Sequence, residues 1–211
     1  MPDLSKLYDA ILDGDDKLSY QLTREALEEA VDPSELIKRW MIPAMDEVGR
    51  RFESQEYFIP EIMMAARAMK AALELLRPLL ASSGAKPTGR VVLGSVKGDL
   101  HDIGKNIVGT MLEGAGFEVF DLGIDVPAEK FIEAIQKNNP DVLALSTLLT
   151  ITMPEMKNTI QALSKAGIRN QVKVIIGGSP VTQDYADEIG ADGYGENAGS
   201  AVSVTRQLLV K

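Results

Sequence analysis

Val91-Val92-Leu93-Gly94-Ser95-Val96-Lys97-Gly98-Asp99-Leu100-His101-Asp102-Ile103-Gly104-Lys105-Asn106 decides how this chain is read. The run from Val91 to Val96 is nearly all apolar, as a strand buried on both faces of a sheet must be. The polar, glycine-marked stretch after it reads as a loop. The residues from Gly104 on read as a helix. Strand, loop and helix in that order make half of a parallel βαβ unit. His101 is the only histidine in 211 residues. It falls on the loop leaving a parallel strand, where open α/β sheets bind ligands, and imidazole is the commonest metal-ligating side chain.

Working outward, the same alternation continues to the C-terminus. Strands are expected at 90–96, 117–122, 141–146, 172–177 and 192–194, and helices at 104–115, 128–138, 153–167, 181–190 and 198–210. The predicted fold is therefore α/β, a doubly wound five-stranded parallel sheet. The residues before it differ in kind. Helical periodicity covers about 4–12, 16–30, 32–52 and 59–80, with Asp32-Pro33-Ser34-Glu35 and Ile59-Pro60-Glu61 as helix starts. Short connections imply antiparallel neighbours, hence an N-terminal four-helix bundle. The expected division is a helical domain over 1–82, a linker over 83–89 rich in Ser, Gly and Pro, and the sheet domain over 90–211.

Composition removes several classes. The chain has no cysteine, so disulfides and thiolate metal sites are excluded. A net charge of −9 leaves no basic footprint for nucleic acid. No apolar run approaches the ~20 residues of a membrane span, and the N-terminus carries no signal-peptide pattern. A cytoplasmic protein without nucleic-acid or membrane partners is expected.

Three loops at the carboxyl end of the sheet hold the candidate site. The first carries Gly98, Asp99, Leu100, His101, Asp102, Ile103 and Gly104. The second is Ser146-Thr147-Leu148-Leu149-Thr150-Ile151-Thr152, and the third begins Gly177-Gly178. Asp99, two residues before His101, can accept one imidazole N–H and leave the other nitrogen to a metal. A loop histidine with no ligand is the plainer reading. Gly177-Gly178 is either a tight turn or a flat slot for something planar. No dinucleotide fingerprint or P-loop occurs. With one histidine and no cysteine, a zinc site of three or four protein ligands is implausible, so a metal at His101 would have to bring its other ligands with it, as in a macrocycle.

Asp99-x-His101-x-x-Gly104, Ser146-x-Leu148 after 41 residues and Gly177-Gly178 after a further 28 resemble the cobalamin-binding pattern D-x-H-x-x-G, S-x-L, GG. In the first half, Gly49-Arg50-Arg51-Phe52 and Tyr57-Phe58-Ile59-Pro60 are similar to the cap of the cobalamin-binding module of methionine synthase. A cap plus a flavodoxin-like cobalamin-binding domain of this size resembles the corrinoid methyl-carrier proteins of methanogen and acetogen methyltransferase systems.

The resemblance implies cobalamin or a related corrinoid bound base-off, with His101 as lower axial ligand to cobalt in place of the corrinoid's own base. Asp99 would accept the imidazole N–H, and Thr152 would stand where methionine synthase has a serine bonded to that aspartate. Ser146, Leu148, Gly177, Gly178 and Ala198 would meet the nucleotide tail. Gly98, Leu100, Asp102, Ile103, Gly104 and Thr150 would contact the macrocycle. Phe52 and Ile59 would cover the methyl face; bundle core is their plainer role, and core is expected for Met63, Met64 and Met69. Lys38 replaces a cap glutamate, so that contact is not carried over. The implied function is to accept a methyl group on cobalt(I) from a methylamine, betaine, methanol or methoxyaromatic through a partner methyltransferase. A second methyltransferase would then pass it to tetrahydrofolate or a thiol, and a reductive activating protein would restore the cobalt. Such a chain is a carrier subunit rather than a complete enzyme. The alternative is a cobalamin-binding sensor, against which stands the lack of a Glu-His pair after Trp40.

Overall fold

The computed structural model describes residues 3–83 and 87–210. Residues 84–86 of the expected linker lie outside the described residues. The chain forms two compact units: one takes the residues up to Pro87 together with Gly114–Gly116, the other takes Thr88–Glu113 and the residues from Phe117 on.

The first unit is helical: α1 (Ser5–Leu12), α2 (Asp16–Glu28), α3 (Pro33–Leu36), a π turn (Ile37–Met41), α4 (Ile42–Glu53) and α5 (Ile59–Ser83). Asp15 and Asp32 cap α2 and α3, accepting from the backbone N–H of Leu18 at 2.9 Å and of Ser34 at 2.7 Å. Gly14, at φ +74°, turns α1 into α2; a Cβ there would lie 2.5 Å from the Cβ of Met64, so the turn admits no side chain.

The third helix, expected unbroken to Phe52, is interrupted. Pro43 has no N–H, and its ring crowds the carbonyl four residues back. The backbone answers with a π turn in which Ile42 N–H reaches Ile37 O. Leu7, Ile11, Leu36, Met41, Met45, Val48, Ile62, Met69 and Leu76 fill the core. Met63 and Met64, expected in that core, are 53% and 45% exposed. Ile62, Ala65, Ala66 and Met69 are the core-facing positions in this part of α5, and the helical period puts Met63 and Met64 off that stripe.

The second unit is a five-stranded parallel sheet in the order β2-β1-β3-β4-β5, from β1 (Arg90–Ser95), β2 (Glu118–Asp121), β3 (Val142–Ser146), β4 (Lys173–Gly177) and β5 (Gly193–Gly195). The helices between and after them are α6 (Ile103–Gly114), α7 (Ala128–Asn138), α8 (Met153–Lys165), α9 (Gln183–Ile189) and α10 (Ala198–Leu209). Alternate strand residues serve the two faces. Val92, Leu143, Leu145, Val174 and Ile176 pack in one core with Phe131, Met156, Ile160 and Ile189 of α7, α8 and α9. On the opposite face α6 comes close enough to Leu93 that a Cβ on Gly109 would lie 3.0 Å from it, and a Cβ on Gly193 would meet Val204 of α10 at 2.5 Å. The sheet is thus doubly wound. Several helix C-termini fall one or two residues short of the sequence expectation where a left-handed residue stops the chain, as Gly190 does after α9 at φ +76°.

Candidate functional site

The strand order reverses between β1 and β3, and such a switch point opens a crevice at the carboxyl ends of the strands. Parallel register brings those ends level, pairing Ser95 with Ser146 and Ser146 with Gly177. The loops after β1, β3 and β4 therefore leave the sheet side by side.

The loop after β1 is built around Asp99, which is wholly buried. Gly98 turns the chain at φ +80° and donates its N–H to Asp125 Oδ1 at 2.6 Å. Asp99 Oδ1 then accepts the backbone N–H of His101 at 3.0 Å, an Asx turn. Ser95 Oγ donates to the carbonyl of His101 at 2.8 Å. Both main-chain polar groups of His101 are thereby held, while its side chain is 51% exposed. The imidazole Nδ1 lies 3.4 Å from Asp99 Oδ1.

Asp99 Oδ2 faces the loop after β3. It accepts from Leu148 N–H at 2.7 Å, Thr147 Oγ1 at 2.8 Å and Thr152 Oγ1 at 3.0 Å. Burial alone would raise this carboxyl, but the backbone N–H groups of Leu148 and His101 and the two threonine hydroxyls outweigh it and hold Asp99 well below the usual carboxylate range. The group is an anion fixed beneath the exposed imidazole.

Around this pair the remaining candidate residues fall into three settings. Leu100 and Ile103 are 66% and 68% exposed, Leu148 44% and Ile151 81%, so the loops after β1 and β3 present large apolar side chains to solvent. Asp102 and Thr150 are exposed, and Asp102 accepts from Asn106 Nδ2 at 3.2 Å. Gly104 lies in the first turn of α6, where an added Cβ would meet nothing within 4 Å.

Ser146 ends β3, and its carbonyl accepts the N–H of Val96 at 3.0 Å. Gly177 ends β4 and Gly178 follows it; a Cβ on Gly177 would lie 2.8 Å from the carbonyl oxygen of Gly195, and one on Gly178, at φ +127°, would lie 1.7 Å from that of Thr147. This close passage of backbones requires both glycines, whatever else they do. Ala198 is buried at the start of α10, behind an Asn197–Ser200 capping box. Phe52 and Ile59 belong to the first unit, in α4 and at the start of α5; Phe52 is half-buried, and Ile59 is too exposed, at 46%, to be bundle core.

Sequence reasoning overlooked four residues of this site. Thr147 occupied the unassigned middle place of Ser146-x-Leu148. Ser95 was taken as strand, although a hydroxyl in an otherwise apolar buried strand needs a partner. Asp125, at φ +53°, holds Gly98 from the β2–α7 loop, and nothing in its local sequence marks it. Lys105 is 3% exposed and is held by Asp121 and Asn106, tying the first turn of α6 to the end of β2. Among the described residues no group of three His, Cys, Asp or Glu side chains could hold a metal ion. No helix among them is long and apolar enough to cross a membrane.

Fold and site together define a ligand-binding α/β protein of the flavodoxin-like type, with its crevice at the β1/β3 switch point and a helical unit preceding the sheet. Two family patterns match, each described as a B12 binding domain: one over residues 89–203 and the other over residues 4–77. The chain is 45% identical over 209 residues to trimethylamine corrinoid protein 1 of Methanosarcina mazei, covering 98% of this chain and 97% of that one. The crystal structure of a cobalamin-binding protein from Desulfitobacterium hafniense superposes with a TM-score of 0.83 at 38% identity, covering all of both chains. A chain of the methanol:cobalamin methyltransferase complex of Methanosarcina barkeri gives 0.82 at 34% identity, covering 100% of this chain and 86% of that one. The chain belongs to the B12-binding family of corrinoid proteins.

Proposed function

We propose that this protein is a methyl carrier that binds cobalamin or a related corrinoid base-off, with His101 as the lower axial ligand. The observation that carries the reading is the half-exposed imidazole, fixed through both backbone groups above a buried carboxylate. The residues fit a corrinoid. A flat macrocycle needs apolar edges, and Leu100, Ile103, Leu148 and Ile151 are exposed after β1 and β3. It also needs backbone without side chains, and Gly104 has no internal contact that would explain its missing Cβ.

When bound, the corrinoid supplies a cobalt centre able to take up and release a methyl group. The protein's part is to orient. Asp99 Oδ1, 3.4 Å from His101 Nδ1, would orient the imidazole from that side, leaving Nε2 to hold the metal. Ser146, Leu148, Thr150, Gly177, Gly178 and Ala198 would receive the displaced nucleotide tail and the macrocycle's arms, together with Gly98 and Asp102. Phe52 and Ile59 would cover the opposite, methyl-bearing face.

The partners would be a methyltransferase acting on a methylated one-carbon donor, a second methyltransferase serving tetrahydrofolate or a thiol, and a reductive activating protein. The relatives named for trimethylamine and for methanol support a donor of this class. The test is to load the purified protein with hydroxocobalamin, isolate it by gel filtration, reduce it, and add candidate donors with their methyltransferases. Retention of pigment near one per chain and donor-dependent methylation are expected. A protein that leaves the column colourless contradicts the proposal.

A further inference from the structure

The sequence pattern directs attention to Thr152 as the hydroxyl on Asp99, but the hydrogen-bond count favours its neighbour. Each hydroxyl has one proton to give. Thr152 Oγ1 has three acceptors in reach: Thr147 Oγ1 at 2.6 Å, the carbonyl of Leu149 at 2.9 Å and Asp99 Oδ2 at 3.0 Å. Thr147 Oγ1 has its best carboxylate contact at 2.8 Å, while its only carbonyl alternative, Leu149 O, is 3.4 Å away. Two arrangements satisfy these groups, Thr147 donating to Asp99 with Thr152 donating to Thr147 or Leu149, and Thr147 donating to Thr152 with Thr152 donating to Asp99; the shorter carboxylate contact, 2.8 Å against 3.0 Å, favours the first. Thr147 is 1% exposed, so water does not compete for its proton.

Its main chain is equally constrained. Thr147 N–H donates to Gly177 O at 3.2 Å, and its carbonyl occupies the space a Cβ of Gly178 would need. One residue therefore joins the loop after β4 to the carboxylate that carries the loop of His101.

We propose that Thr147 is a positioning residue, the principal hydroxyl donor to Asp99, which registers the imidazole-bearing loop against the Gly177-Gly178 loop. It touches neither metal nor corrinoid and acts through Asp99. The inference rests on the reading of His101 as the axial ligand, and its test is arranged so that the two can fail separately. Thr147→Val keeps the shape and removes the hydroxyl; Thr147→Ser keeps the hydroxyl and removes the methyl; Thr152→Val and His101→Ala serve for comparison.

Each protein is loaded with methylcobalamin at one fixed pH. Two quantities are read: the absorption signature of axial nitrogen coordination and the dissociation constant for the corrinoid. The unloaded proteins are compared for amide hydrogen exchange at His101 and Leu148, whose N–H groups make the two shortest backbone bonds to the Asp99 carboxylate.

Thr147→Val is expected to lose at least half of the coordinated signature while its dissociation constant changes less than tenfold. Exchange at His101 is expected to rise at least tenfold, Thr147→Ser to match the parent protein in all three readouts, and Thr152→Val to be the milder of the two valine variants. A Thr147→Val protein with the full coordinated signature and parental exchange overturns the proposal. So does a Thr147→Ser protein that loses the signature, an outcome that can be read even if the valine variant does not fold. If instead the parent protein shows no signature that His101→Ala removes, the axial-ligand reading fails first.

Discussion

Replacing Asp99 by Asn tests how much of this unit's stability the buried carboxylate supplies. Asn offers one carbonyl oxygen and one NH2 group in place of two acceptors. The oxygen belongs at the Oδ2 position, where Leu148 N–H, Thr147 Oγ1 and Thr152 Oγ1 converge, so the NH2 group falls opposite His101 N–H. That leaves one buried backbone donor without its acceptor, a loss of roughly 1–3 kcal/mol. The bonds that remain at that oxygen lose their charge assistance, which accounts for about half their strength, or roughly 0.5–1 kcal/mol each. Against this, an amide is less costly to bury than a carboxylate. The expected net loss is about 2–3 kcal/mol, or roughly 4–12 °C in Tm for a chain of this length.

The pH dependence has a definite sign. The folded carboxyl is depressed below its unfolded value of about 3.9, so its stabilisation is complete above that pH and disappears as pH falls through it toward the folded value. Urea unfolding of the corrinoid-free proteins, followed by circular dichroism, should show the full gap between parent and variant at pH 7 and a much smaller one at pH 3. A gap below about 1 kcal/mol at pH 7, the level of one ordinary hydrogen bond, would refute the reasoning, as would a gap unchanged at pH 3.

Two glycines should separate folding from ligand binding. Gly178→Ala should cost about 3 kcal/mol or more in urea unfolding, because φ +127° disfavours any side chain and the new Cβ would meet Thr147 O. Gly104→Ala should leave stability within about 1 kcal/mol of the parent, yet weaken corrinoid binding at least tenfold by spectroscopic titration; unchanged affinity would mean that no macrocycle lies against that turn. The Lys105–Asp121 pair should behave asymmetrically, since the lysine side chain is 2% exposed and the aspartate 42%. Lys105→Met leaves a carboxylate that can turn to water and should cost about 1 kcal/mol or less, whereas Asp121→Ala strands a buried ammonium and should cost about 2–3 kcal/mol by denaturant titration. Equal losses would contradict the burial assigned to the lysine.

The sheet was legible because its three central strands are apolar on both faces. Val91–Val96, Val142–Leu145 and Val174–Ile176 could hardly be anything but central strands. The carboxyl-edge loops could be read by position, since parallel topology sends them to one side. What local sequence did not show is what depends on distant backbone. The π turn before Pro43 reflects a choice between kinking the helix and widening it. Gly178 passes against a residue 31 positions earlier in the chain, Thr147. Thr147 itself sits beside a hydroxyl that the pattern already named, and only the count of donors and acceptors around Asp99 separates the two. Met63 and Met64 show the limit of composition: methionine in an amphipathic helix suggests core, but Met69 falls on the buried stripe of α5 and Met63 and Met64 fall off it.

Because the chain contains a single histidine, uniform 15N labelling of that amino acid alone marks one side chain. Protein so labelled, loaded with unlabelled cobalamin and reduced to the cobalt(II) state, reports its axial nitrogen directly in the electron paramagnetic resonance spectrum. Coordination by His101 is expected to split each cobalt line into the doublet of a 15N ligand. A 14N triplet, identical with and without the label, would mean that the corrinoid keeps its own base and that His101 is not the ligand.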